Sequence, residues 1–160
     1  MGAGTMMNTV FFKKLTKLAL VMVLFGNMPV YAEGAASELS DKMTKECAGD
    51  PPSKDDCIVR NFKDSPQASV IRGKIAFSHY CVLCHGVNGR GDGRAAKIHN
   101  PRPANLTISV YPPEYLAMII RKGGEAMGRS KAMPPWGEQL TDEQIRDIIN
   151  HLMTLRKPVQ

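Results

Sequence analysis

The pentapeptide CVLCH at residues 81–85 constrains this chain more than any other stretch. Cys81 and Cys84 are two of only four cysteines, and His85 directly follows the second. Two thiols and an imidazole at this spacing can bind a metal, act as a redox dithiol or carry a prosthetic group. The rest of the 160-residue chain must decide between these uses.

Two of these uses fit the surrounding sequence poorly. A structural zinc site needs four Cys or His ligands, usually as two closely spaced pairs, but Cys47 and Cys57 lie well upstream and are separated by nine residues. A thioredoxin-type pair follows a strand in a βαβ unit. The stretch VIRGKIAFSHY before Cys81 spaces its apolar residues as a helix does.

The third use, attachment of a c-type haem, fits the motif directly. Two thiols on one helical turn match the spacing of the two haem vinyl groups, so Cys81 and Cys84 are predicted to form covalent thioethers. His85 is then carried beneath the ring, where its Nε2 can bind iron. Aromatic residues make up only 6% of the chain, so a large apolar cofactor would help to fill the core.

Residues 1–32 are predicted to be a signal peptide. A basic stretch ending at Lys17 precedes an apolar run over residues 18–25, and Val30 and Ala32 occupy the −3 and −1 positions of a cleavage site. The run is far shorter than the roughly 20 residues that span a bilayer. We predict cleavage after Ala32 and a periplasmic protein without a membrane span; an uncleaved membrane anchor is the alternative.

Charge favours a protein partner over nucleic acid. The chain carries +6, and removing residues 1–32, with three lysines and no acid, leaves 18 basic and 15 acidic residues, a net +3. No Lys/Arg run is interleaved with aromatics, so nucleic-acid binding is not expected. A basic surface would steer redox partner proteins toward the domain. We place this surface around four residues: Lys74, Lys97, Lys122 and Lys131.

A haem iron attached in this way usually has a second axial ligand. Met133 is the main candidate because the two prolines that follow it stiffen the backbone and keep Met133 itself extended. Met127, in the glycine-rich stretch GGEAMGRS, is the alternative. Met118 and Met153 lie in helical patterns and are interpreted as core residues. The other histidines are interpreted as surface, loop or interhelical residues: His79, His99 and His151.

Together these stretches resemble the class I cytochromes c, which are small mono-haem electron carriers. The resemblance covers roughly residues 68–156 and rests on RGKIAFSHYCVLCHG, GRGDG…PRPANLT, YLAMIIRKGG and AMPPWGEQLTDEQIRDIINHLMTL. It implies an all-α cytochrome c fold, with three main helices and loops wrapped around one covalently bound haem. It also implies His85 and Met133 as axial ligands, a hydrogen bond from His85 to the Pro103 carbonyl, and a helix crossing at Gly73.

The residue pattern predicts the same three helices. Residues 68–80 and 113–122 have helical spacing, and two glycines end the second helix. The third begins at an N-cap, Thr141, with Gln144 completing a capping box. The GRGDG stretch is interpreted as a haem-covering loop. Trp136 is interpreted as packing near the haem edge or, equally, as a plain core aromatic.

Residues 33–67 lie outside the resemblance. Cys47 and Cys57 remain as an even pair after haem takes two cysteines, and in an oxidising compartment we predict a disulfide between them. Closing so short a loop would stabilise the chain by about 2–3 kcal/mol. The predicted order is a signal peptide (1–32), an extension (33–67) that is either a spacer or a docking arm, and a cytochrome c domain (68–160).

The expected function is one-electron transfer without enzymatic activity, because six-coordinate iron leaves no position for a substrate. Two alternatives to this function stay open. In the first, the chain is the electron-transfer subunit of a larger periplasmic or membrane-bound oxidoreductase. In the second, it is a haem enzyme or gas sensor with a vacant sixth position.

Overall fold

A computed structural model describes residues 30–157. Within this range the chain forms helices and loops and no β-strand, which confirms the all-α class. The predicted signal peptide lies outside the described residues except for its last three positions. The α-helices are α1 (Val30–Glu46), α2 (Ser53–Asn61), α3 (Pro66–Tyr80), α4 (Val82–His85), α5 (Pro113–Ala126) and α6 (Asp142–Leu155), and two short 3₁₀ turns cover Ala96–Ile98 and Leu106–Ile108.

The chain divides into two compact units, Met1–Glu46 and Cys47–Gln160. Helix α1 is the described element of the first unit, and the predicted cleavage position after Ala32 falls within its first turn. Between residues 30 and 157, no helix has both the length and the apolar character needed to cross a bilayer.

Helices α3 and α6 cross at Gly73, as predicted. A Cβ atom at Gly73 would lie 1.9 Å from the carbonyl oxygen of Asp147, so only glycine permits this approach. Phe77, one turn further along α3, is 2% exposed and packs in the core. The apolar side of α6 fills the same core, as its helical spacing predicts. The buried cluster comprises Phe77, Leu116, Ile120, Leu140, Ile145, Ile148, Ile149 and Leu152.

The partly exposed Arg72 and the buried Asp147 form an ion pair at this crossing, which was not predicted from the sequence. Asp147 is 3% exposed, and its carboxylate accepts hydrogen bonds from Arg72 Nε at 2.7 Å and from Ser69 Oγ at 2.5 Å. Asn150 donates to the same Ser69 hydroxyl at 2.8 Å. Losing one partner of such a pair leaves a buried charge without compensation, so the pair makes the crossing sensitive to substitution.

The predicted helix boundaries agree with the structure within a few residues. The Thr141 and Gln144 capping box is confirmed, with its two side-chain-to-backbone bonds at 3.2 and 2.9 Å. Helix α3 begins two residues earlier than predicted because Ser65 caps it and Pro66 occupies its first turn. In α5, Gly123 has φ 78° and ψ 171°, which ends the regular helix at residue 122 as predicted; one further turn follows.

Residues 47–65 pack on α3. Helix α2 contacts α3, and Arg72 Nη1 donates a hydrogen bond to the carbonyl of Lys63 at 2.6 Å. Cys47 and Cys57 lie at the start of this segment and within α2, with their Cα atoms 5.6 Å apart. This separation falls in the range that disulfides occupy.

We expect the protein to become less stable as the pH falls below about 6.5, the ordinary pKa of histidine. His151 is 7% exposed, and its ring contacts Phe77 with the centroids 5.5 Å apart. Burial lowers the pKa of His151, and the charge of Lys74 acts in the same direction. The unfolded chain therefore gains a proton at a higher pH than the folded chain, so acid favours unfolding.

Denaturant unfolding of the haem-loaded protein at pH 7.5 and pH 5.5 measures this effect. A His151→Leu variant should lose part of the pH dependence while keeping a similar shape in the core. An identical pH dependence in the variant would show that His151 does not contribute.

Candidate haem site

A largely apolar cavity of about 650 Å³ lies between α3, α5, α6 and the loops that connect them. Its volume is typical of cofactor pockets. The structure brings six of the predicted site residues together in its wall: Cys81, Cys84, His85, Pro103, Met133 and Trp136. Met127, the alternative axial ligand, is not part of the lining.

The two thiols and the imidazole share the short turn that follows α3. The N–H groups of Cys84 and His85 both bond to the Cys81 carbonyl, at 3.2 and 2.9 Å, so the turn is tight. Burial, and to a smaller extent the neighbouring Cys84, raises the pKa of Cys81 to about 12. The thiol of Cys81 is therefore protonated and neutral at pH 7, in keeping with an apolar wall.

The glycine-rich loop after this turn holds the turn in place. Gly91 N–H donates to the His85 carbonyl at 2.8 Å, and Gly93 N–H donates to the Cys84 carbonyl at 3.1 Å. A Cβ at Gly93 would lie 2.3 Å from the carbonyl oxygen of Leu83, so the close contact requires glycine. The interpretation of GRGDG as a haem-covering loop was wrong, because none of its residues lines the cavity. Its backbone supports the attachment turn instead.

His85 is oriented by a backbone carbonyl. Its Nδ1 lies 3.1 Å from the carbonyl oxygen of Ala104. A carbonyl can only accept, so Nδ1 carries the hydrogen and Nε2 keeps a lone pair. Burial lowers the pKa of His85, which the bond to Ala104 partly opposes. The imidazole is therefore held neutral, the form that binds a metal.

The acceptor of this hydrogen bond is the carbonyl of Ala104 and not that of Pro103, so the prediction was wrong by one residue. The Pro103 carbonyl oxygen faces the glycine-rich loop, where a Cβ at Gly91 would lie 2.3 Å from it. The Pro103 carbonyl therefore packs against Gly91, and the next carbonyl along the chain meets the imidazole. Sequence alone could not fix this register, because an irregular loop separates the two residues from His85.

Backbone hydrogen bonds to the end of α5 hold the loop that contains Met133. Gly124 N–H donates to the Met133 carbonyl at 2.8 Å, and Trp136 N–H donates to the Ile120 carbonyl at 2.9 Å. A Cβ at Gly124 would lie 2.1 Å from the carbonyl oxygen of Ser130. The two glycines predicted only to end a helix thus also create the surface on which the methionine loop docks.

The remaining predicted residues lie at the cavity or on the protein surface. The Trp136 ring meets the Tyr80 ring edge to face, with centroids 5.4 Å apart. His99, interpreted as a loop residue, lines the cavity with its Nε2 3.9 Å from Cys84 Sγ. The four lysines predicted to form a basic surface are all exposed: Lys74, Lys97, Lys122 and Lys131.

The lining residues that were not predicted include Tyr111, Tyr115 and Arg129. Tyr115 lies in the first turn of α5, whereas Tyr111 lies two residues before the helix, so helical spacing does not relate the two and gave no signal. Nothing in the local sequence of Arg129 indicated a role at the cavity.

These residues fit a c-type haem. The wall is apolar enough for a porphyrin, two thiols stand one turn apart, and a neutral imidazole and a thioether line the same space. The helical fold and this cavity define a mono-haem protein of the class I cytochrome c type.

Sequence comparison identifies the family. Residues 68–152, which are 85 of the 160 residues, match the family model described as "Cytochrome C oxidase, cbb3-type, subunit III". The chain belongs to this family of cytochrome c domains, which implies haem c and electron transfer. No curated protein sequence matched the chain.

A solved structure supports the fold. It is the Kuenenia stuttgartiensis reducing HAO-like protein complex, with a TM-score of 0.50 and 22% sequence identity. The match covers 56% of this chain and 44% of that chain, so the chain spans less than half of the structure it resembles. At this identity the likeness concerns the fold alone.

Proposed function

We propose that this protein is a periplasmic one-electron carrier with a single haem covalently joined to Cys81 and Cys84. His85 and Met133 are its axial ligands. The observation that carries this proposal is one apolar cavity whose wall contains two thiols, an imidazole with a free Nε2 and a thioether. When bound, the haem supplies the Fe(III)/Fe(II) couple, and the chain buries it and sets its potential.

The ligand set makes the protein a carrier rather than an enzyme. A thioether favours the ferrous state, so His/Met ligation gives a higher potential than two histidines would. With both axial positions filled by protein, no position is left for a substrate. The hydrogen bond from His85 to Ala104 raises the basicity of the imidazole and fixes its orientation.

The proposed processing and partner binding agree with a periplasmic carrier. The signal peptide is removed after Ala32, and Cys47 and Cys57 form a disulfide in the periplasm, for which their Cα separation of 5.6 Å is suitable. Redox partner proteins dock transiently through the exposed lysines, because complementary charge increases the rate of encounter.

A second candidate is an electron-transfer subunit of a larger oxidoreductase. The description of the matched family names an oxidase subunit, and the similar solved structure is a protein complex. Purification from the native source separates the two: a fixed stoichiometry with a dehydrogenase or oxidase favours the subunit, and elution alone favours the free carrier.

The visible spectrum of the purified protein tests the proposed function. Made in cells that mature c-type cytochromes, the protein should show one haem per chain that stays attached after denaturation. It should be low-spin in both oxidation states, and the reduced form should bind carbon monoxide only slowly at neutral pH. A colourless protein with two free thiols would contradict the proposal.

A further inference from the structure

Three side chains form a contact cluster in the cavity wall outside the proposed ligand set. Tyr111 and Tyr115 stack with their ring centroids 4.3 Å apart and their planes 20° apart. Arg129 donates a hydrogen bond to the Tyr115 hydroxyl at 3.2 Å and another to the Tyr111 hydroxyl. Its Cζ lies 5.5 Å from the centre of the Tyr111 ring. We call these three residues the Arg129 clasp.

The clasp ties the methionine loop, residues 127–135, to the far end of α5. The backbone of this loop is held at the near end, where Arg129 N–H donates to the Gly124 carbonyl at 2.7 Å. Tyr115 precedes Lys122, where the regular helix ends, by seven residues, a distance of roughly 10 Å along a helix. The Arg129 side chain therefore gives the loop a second and distant point of attachment.

The start of the methionine loop is bonded to α5 through its backbone, where Gly128 N–H donates to the Glu125 carbonyl at 3.0 Å. Gly128 has φ of +64°, and a Cβ at this position would meet no atom within 4 Å. Arg129 itself forms no ion pair with any carboxylate in the described part of the chain. Its planar fork is instead engaged by two phenols and one aromatic face, a combination that lysine cannot reproduce.

We propose that Arg129 is a positioning residue for the axial methionine. By joining the loop to Tyr111 and Tyr115, the clasp limits the excursions that would carry Met133 away from the iron. Opening the clasp frees the sixth coordination position for an external ligand. This inference rests on the proposed His/Met ligation, and its test is designed so that failure of each can be recognised.

The probe is carbon monoxide, mixed with the reduced haem-loaded protein at neutral pH. Two variants open the clasp conservatively: Arg129→Lys keeps the charge, and Tyr111→Phe with Tyr115→Phe keeps the stack. Each should raise the rate of carbon monoxide binding about tenfold, because the loop would open more often. Combining both should add little, because they break the same contacts. The denaturant midpoint should stay near that of the parent protein.

The matched control is Arg146→Lys, at an exposed position of α6 outside the cavity lining, which should leave the rate unchanged. Slow binding in the parent and in every clasp variant would overturn the positioning role alone. A change confined to the pH dependence of the reduction potential would also overturn it, and would assign Arg129 to the haem carboxylates. Fast binding in the parent protein would overturn the His/Met ligation and the clasp together.

Discussion

Replacing Met133 with alanine is expected to open the sixth coordination position of the iron. The reduced variant should bind carbon monoxide rapidly at neutral pH. Its reduction potential should fall by on the order of 0.1 V, a modest part of the roughly 0.8 V over which axial ligands set haem potentials. The loop should stay in place, because its attachment to Gly124 uses the Met133 backbone carbonyl. Stopped-flow mixing and potentiometric titration measure the two effects.

Met127→Ala is the matched control for this experiment. Met127 lies six residues earlier in the same loop but does not line the cavity, so its loss should change neither the spectrum nor the potential. If Met133→Ala kept the parent spectrum and excluded carbon monoxide while Met127→Ala did not, the two assignments would be exchanged.

The Gly73→Ala variant is expected to lose at least about 3 kcal/mol of unfolding free energy, or to fail to fold. The new methyl group would lie 1.9 Å from the Asp147 carbonyl oxygen, so α3 and α6 must separate. Separation would also weaken the bond between Arg72 and the buried Asp147 carboxylate. Denaturant unfolding of the haem-loaded protein measures the loss.

Gly34→Ala provides the comparison, because a Cβ at Gly34 would meet nothing within 4 Å. Its unfolding free energy should stay within about 1 kcal/mol of the parent value, the difference between glycine and alanine in a helix. Equal stability of the Gly73 and Gly34 variants would mean that the crossing tolerates a wider helix separation than the structure indicates.

The main helices and the attachment turn were predictable because local signals specify them. The capping box at Thr141 and the apolar spacing of α6 act within a few residues of sequence, and the CVLCH motif is itself local. The close helix crossing at Gly73 was predicted from the cytochrome c resemblance. These signals were sufficient for the fold class and for six of the residues that line the cavity wall.

Long-range polar contacts were not predictable in the same way. Arg72 and Asp147 are 75 residues apart in sequence, and each looks like an ordinary surface charge on its own helix. The Ala104 carbonyl and the Arg129 clasp likewise depend on the path of irregular loops. No local residue preference determines which carbonyl such a loop presents to a distant imidazole.

The double role of Gly123 and Gly124 shows how one local signal can hide another. A glycine pair after a helical pattern sufficiently explains a helix end. The same absence of side chains lets residues 130–135 approach the helix closely, with a Cβ at Gly123 only 2.8 Å from the Pro135 nitrogen. The second role becomes visible only when the loop is seen against the helix.

The bond between His85 and the Ala104 carbonyl limits how this protein can evolve. Because the acceptor belongs to the main chain, no replacement of the exposed Ala104 side chain deletes it. Residue 104 can therefore be substituted while the imidazole of His85 keeps its hydrogen bond to the main-chain carbonyl. Insertions or deletions between residues 86 and 104, which shift the register of the loop, are the changes that would move this carbonyl away from His85.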